Sequence, residues 1–127
     1  MGIPSFQAMM RPVLDVLEGT DACSVADLRD KVQQRLQIRD EQREELLSGS
    51  RVRVFDNRVA WAITHLRMAG LLEGPKRNFW AITASGKEFL KKREGPISVG
   101  DLQNIPSYVE AWKRVRSGTS ADKDALK

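Results

Sequence analysis

Apolar residues recur at helical spacing along much of this chain, and the pattern is clearest over residues 55–69. There Phe55, Val59, Ala62, Ile63, Leu66 and Ala69 form one stripe, which predicts a helix with a single buried side. Asn57, Trp61, Thr64 and Met68 lie opposite that stripe, with Arg58 and His65 on one shoulder. Gly70 follows at once, where a helix that must stop takes a residue free to adopt a left-handed conformation. Leu71-Leu72-Glu73 and Phe79-Trp80-Ala81-Ile82-Thr83 then read as two short strands. Gly74-Pro75-Lys76-Arg77-Asn78 joins them, a turn made of breakers and bases. A helix feeding directly into a hairpin with a basic tip is the arrangement of a winged helix. The expected class is therefore mainly α with a small β-hairpin, a winged helix-turn-helix with extra C-terminal helices.

The flanking sequence supplies the remaining elements. Ser5 can cap a first helix whose buried side is Phe6, Met9, Met10, Val13, Leu14 and Leu17. Pro12 lies inside that pattern and either kinks the helix or marks the first turn of its regular part. Ser24-Val25-Ala26-Asp27 resembles a capping box and opens a second helix with Leu28, Val32 and Leu36 at spacing four, running to about Gln37. Asp40 to Leu47 reads as a short acidic helix ended by Ser48-Gly49-Ser50, and Arg51-Val52-Arg53-Val54 as a short strand or extended lead-in. Ala84 to Lys92 is a helix with basic residues at its C-terminal end, where they suit the helix dipole. Pro106-Ser107 opens a last helix carrying Tyr108, Val109, Trp112 and Val115. The expected organisation is a domain over 1–93, a helical extension packing on it over 94–116, and a disordered tail over 117–127.

Charge sharpens this picture. Residues 1–50 hold six Lys/Arg against nine Asp/Glu, residues 51–93 hold ten against three, and residues 94–127 hold five of each. The basic excess falls on the central helix, its wing and the helix after it, where a phosphate-facing surface would have to lie. On a helix in the major groove, Asn pairs with adenine and Arg with guanine, each pair worth roughly 1–3 kcal/mol of discrimination. The candidate DNA-binding residues are therefore Asn57, Arg58, Trp61, Thr64 and His65 on the helix. Arg51 and Arg53 precede it, and Lys76, Arg77 and Asn78 stand at the wing tip. Thr64 could meet a thymine methyl, or a methyl placed on a base. Trp61 either stacks on DNA or packs beneath a neighbouring helix.

Other chemistries find little support. One His and one Cys exclude a zinc finger, and no metal site or cofactor is expected. Asp27-Leu28-Arg29-Asp30-Lys31 and Asp122-Lys123-Asp124 have the letters of a metal-dependent nuclease. One lies on a predicted helix, however, and the other in the tail. There is no Gly-rich phosphate loop and no Ser/His/Asp set, so the chain is not expected to be an enzyme itself. No apolar run is long enough to cross a bilayer, Met1-Gly2-Ile3-Pro4 does not begin a signal peptide, and a lone Cys23 fits a reducing compartment. A cytoplasmic location is expected. The competing function class is a protein-interaction or dimerisation domain without DNA contact, anchored by Trp61, Met68, Trp80 and Trp112.

Several stretches also resemble a known family. Ile3-Pro4-Ser5-Phe6-Gln7, Met10-Arg11-Pro12-Val13-Leu14, Phe55-Asp56-Asn57-Arg58-Val59-Ala60-Trp61-Ala62 and Ala69-Gly70-Leu71-Leu72-Glu73 are similar to the N-terminal domain of Mrr-like restriction proteins. Ile82 to Leu90 and Asp101 to Pro106 continue the likeness, which spans about residues 3–116. The resemblance implies a winged-helix recognition module of a modification-dependent bacterial restriction system. It also implies double-stranded DNA, methylated DNA included, as partner, with a C-terminal endonuclease domain in the parent protein. A homodimer would suit paired half-sites. The resemblance places no cleavage chemistry on these residues.

Overall fold

The computed structural model describes residues 3–116. Helix α1 (Phe6–Glu18) starts at Ser5, whose hydroxyl accepts from the Ala8 N–H, and it buries Met9, Met10, Val13, Leu14 and Leu17. Pro12 sits within the helix, which removes one backbone donor without ending it. Strand β1 (Cys23–Ser24) leads straight into α2 (Val25–Leu36), and the Ser24 hydroxyl caps α2 by accepting from the Asp27 N–H at 3.1 Å. Helix α3 (Asp40–Arg43) is a single turn, α4 (Val54–Met68) is the longest helix, and strands β2 (Leu72–Glu73) and β3 (Phe79–Ile82) follow it. Helices α5 (Ala84–Lys92), α6 (Val99–Leu102) and α7 (Pro106–Arg116) complete the described chain.

The expected hairpin is part of a three-stranded antiparallel sheet in the order β1-β3-β2. Leu72 faces Ile82 across one ladder, and Cys23 faces Trp80 across the other. The additional strand was hidden because Cys23-Ser24 is two residues long and doubles as the helix cap, too short for alternation to register. The result is mainly helical with a small sheet, a winged-helix-like arrangement.

The core lies where α1 crosses α4. Phe55, Val59, Ala62 and Leu66 of α4 are fully buried together with Met9, Met10, Val13, Leu14 and Leu17 of α1. Truncating one such leucine to alanine typically costs about 2–5 kcal/mol, so this contact fixes the pose of α4. Helix α5 reaches the same core through a close approach. Thr83 caps it by accepting from the Gly86 N–H at 3.0 Å, and a Cβ at Gly86 would lie 2.6 Å from Ile82 Cγ1 and would strike the Leu71 carbonyl. Glycine is needed at position 86 because α5 lies directly on the backbone leaving α4.

Two expectations around α3 are corrected. The acidic helix stops at Arg43 rather than Leu47, and Arg51–Val54 forms no strand: Arg53 is an extended lead-in held in a single bridge, and Val54 already begins α4. Residues 45–54 fold back on themselves instead. The Leu47 N–H donates to the Val52 carbonyl at 2.8 Å, the Val54 N–H donates to the Glu45 carbonyl at 2.9 Å, and Leu46 bridges Arg53. Gly49 takes φ +69° at the tip, and Ser50 accepts from the Val52 N–H through its hydroxyl at 2.9 Å. Helical spacing alone could not reveal this turn, since its ladder pairs a glutamate-leucine stretch that is also a good helix former. The Val115 side chain and the tail over 117–127 lie outside the described residues.

Candidate nucleic-acid interface

The first two turns of α2 tie the wing to the start of α4. The Val25 N–H donates to the Asn78 carbonyl at 2.8 Å, which docks the wing tip on the beginning of α2. One turn later, Arg29 Nε lies 3.7 Å from Asp56 Oδ1 in the first turn of α4. The wing and the entrance of α4 therefore flank the same end of α2.

Asn78 takes φ +65°, the left-handed conformation that Asn tolerates better than most side chains, and the Phe79 N–H closes the turn on the Lys76 carbonyl at 3.1 Å. The Lys76 ammonium lies 4.2 Å from the centroid of the Phe79 ring, a cation–π contact that folds it back over the hairpin. Arg77 is exposed at the tip. Arg51 and Arg53 are exposed before α4, with Arg53 Nη2 2.9 Å from Glu44 Oε2.

On α4 the sequence expectation is redistributed. Asn57 is half-buried, and it shares a stripe with the exposed Ala60 and Arg67. Arg58 is half-buried and donates to the Pro4 carbonyl at 3.3 Å, so its guanidinium faces the segment before α1. The outward placement expected of Thr64, His65 and Met68 is corrected. Thr64 is 7% exposed, His65 4% and Met68 8%. The expected outer face is covered because the apolar stripe of α4 is broader than the six residues that define it, and α7 packs across its shoulder. Arg67 escaped the sequence reading although it stands ten residues after Asn57, close to three helical turns.

His65 is the centre of an aromatic group drawn from three helices. Phe6 stacks on its ring at 4.6 Å, Trp61 lies at 5.9 Å, Trp112 at 5.7 Å and Tyr108 at 5.8 Å. His65 Nδ1 lies 2.8 Å from the Tyr108 hydroxyl, and the Trp112 ring stands edge-on to Tyr108 at 6.3 Å. Burial pushes the His65 pKa below its usual value and the Tyr108 pKa above its own, so both groups stay neutral near pH 7. Trp61 packs within this group, half-buried. A shallow cleft of about 430 Å³ opens beside it, lined by His65, Val99, Gln103, Tyr108, Val109 and Trp112. Among the described residues no group of three or more His, Cys, Asp or Glu is placed to hold a metal ion.

With this geometry in view, comparison with known proteins gives a consistent result. A family model described as the Mrr N-terminal domain matches residues 6–92, from the first residue of α1 to the last of α5. The chain belongs to the Mrr N-terminal domain family. This Mrr N-terminal domain is 25% identical over 106 residues to the type IV methyl-directed restriction enzyme EcoKMrr of Escherichia coli, an alignment covering 83% of the chain. It spans about a third (34%) of that relative's length. No solved structure matches it. Helix α6 and helix α7, the latter bringing Tyr108 and Trp112 onto α4, lie beyond the family match.

Proposed function

We propose that this domain is a double-stranded DNA-binding recognition module of a modification-dependent restriction system. The observation that carries the reading is the double attachment of α2, by Asn78 at the wing and by Asp56 at α4. The wing, with Lys76 and Arg77, and the entrance of α4, with Arg51, Arg53 and Asn57, meet in this reading at a common end of α2. In this reading Asn57, Ala60 and Arg67 face base edges, while Arg51, Arg53, Lys76 and Arg77 take phosphates. Arg58 and Trp61 support the helix from its half-buried flank, and Thr64 and His65 act through packing. Methylated DNA is the preferred target by analogy with the methyl-directed relative, and cleavage belongs to a nuclease domain elsewhere in the parent protein. Residues 1–93 act as the recognition unit, 94–116 pack upon it, and the module works in the cytoplasm.

The test is a mobility-shift titration with methylated and unmethylated duplexes of one sequence at two salt concentrations. Affinity should fall steeply with salt. Absence of binding at low salt, or binding indifferent to salt, overturns the proposal.

One observation favours a second reading, a protein-interaction surface. Leu46 is 52% exposed and Val52 47%, both on the turn before α4. A second copy of the chain meeting at this turn would give the homodimer that paired half-sites require. Replacing both residues with lysine would then convert a dimer to a monomer in sedimentation, and an unchanged sedimentation profile would dismiss the reading.

A further inference from the structure

Arginines around the entrance of α4 already face carboxylates of the chain itself. Arg29 Nε of α2 stands 3.7 Å from Asp56 Oδ1. Arg53 Nη2 is 2.9 Å from Glu44 Oε2, and its Nη1 is 3.9 Å from Asp56 Oδ2. Arg43 Nη1 is 2.6 Å from Asp30 Oδ1. Except for Arg53 and Asp56, three residues apart at the start of α4, these pairs join different elements. Asp56 is the sole acid of α4 and touches two arginines from different elements. Its Oδ1 and Arg29 Nε are both buried without a hydrogen bond, and their separation is too long for one to form between them.

We propose that Asp56, with Glu44, tempers the affinity of this interface for any duplex by holding Arg29 and Arg53 on carboxylates that a phosphate must displace. The inference rests on the DNA-binding reading. A phosphate competing for Arg53 must replace a carboxylate 2.9 Å away, and it meets the Asp56 charge as it approaches. The cost is common to every duplex, so the carboxylates lower affinity and salt dependence and leave the ratio between duplexes unchanged. Asp56 is thus a positioning residue that acts through the arginines. Its place in the first turn is compatible with the positive end of the helix dipole, so the charge does not destabilise α4.

The experiment measures the slope of log affinity against log salt for the wild-type chain, Asp56→Asn and Glu44→Gln, each on a methylated and an unmethylated duplex. Each arginine released to a phosphate adds about 0.9 to the steepness of the slope. Glu44→Gln frees Arg53 and should steepen it by about 0.9. Asp56→Asn loosens both arginines and should steepen it by up to about 1.8. Both variants should tighten binding to the two duplexes by a similar factor at low salt. Salt slopes equal to wild type in both variants would overturn this inference while leaving DNA binding in place. Failure of the wild-type chain to bind any duplex would overturn both readings. If Asp56→Asn loses its helical circular dichroism, Glu44→Gln decides alone, because its carboxylate is 66% exposed and carries no core contact.

Discussion

Asn57 and Arg77 are asked to do different work, and substitution separates them. Arg77 is an exposed wing-tip cation. Arg77→Ala should weaken binding to all duplexes alike and make the salt slope shallower by about 0.9, as read in a salt titration. Asn57→Ala should leave the slope alone and cost roughly 1–3 kcal/mol on the preferred sequence only, which competition between duplexes would report. His65 acts on stability. Its pKa is depressed by burial, so the unfolded chain takes up a proton first as pH falls. The stabilisation is complete above the unfolded value of about 6.5 and drains away as pH drops from there toward the lower folded value. Thermal unfolding followed from about pH 8 to pH 5 should show the midpoint falling below about 6.5. In His65→Gln that fall should be flatter. At this scale the sequence was a fair guide to residue type and a poor one to exposure. Arg51, Arg53, Lys76 and Arg77 are exposed, as their charge implies. Nothing along the chain tells that Phe6 and Tyr108 converge on His65 from segments 59 and 43 residues away.

The elements show why helix α5 and the wing hold the pose they do. Thr83-Ala84-Ser85-Gly86 is both a cap and a contact, since the hydroxyl satisfies the Gly86 N–H while the missing Cβ lets α5 rest on Leu71 and Ile82. Gly86→Ala should destabilise the domain by about 1–3 kcal/mol or more, measured by urea unfolding with an unchanged slope. Full stability in that variant would show that α5 can shift freely, against the packing described. Helix positions were legible from periodicity, as α1, α2, α4, α5 and α7 show. The turn over 45–54 was not, because it pairs backbone groups of a stretch with helical propensity. Strand β1 was not either, because two residues carry no period and its partner β3 is more than fifty residues away in the chain.

For the whole molecule, the distribution of charge is what connects fold to function. The two parts of the chain do not stay apart: Glu44 of the acidic part pairs with Arg53 of the basic middle, and Asp56 of the middle lies beside Arg29 of the first part, around the entrance of α4. Segmental charge therefore overstated how much bare cationic surface the domain presents. The wing is the better-isolated cation source, and removing both Lys76 and Arg77 should cost more affinity than removing Arg51 and Arg53. A Mg²⁺-containing incubation with supercoiled plasmid should leave the DNA uncut by this chain. Nicking that disappears with a single Asp substitution would overturn its assignment as a recognition module.

What the chain determined by itself was local: which stretches are helices, where glycine and serine end or begin them, and that the middle of the molecule is basic. These follow from short-range sterics, hydrogen bonding and apolar periodicity, all written within a few residues of one another. The tertiary structure alone decided which side of α4 faces outward, which arginines are held by carboxylates, and that His65 lies in an aromatic core. Each of those depends on contacts between residues distant in sequence, and burial is a property of the neighbours that arrive rather than of the residue that receives them.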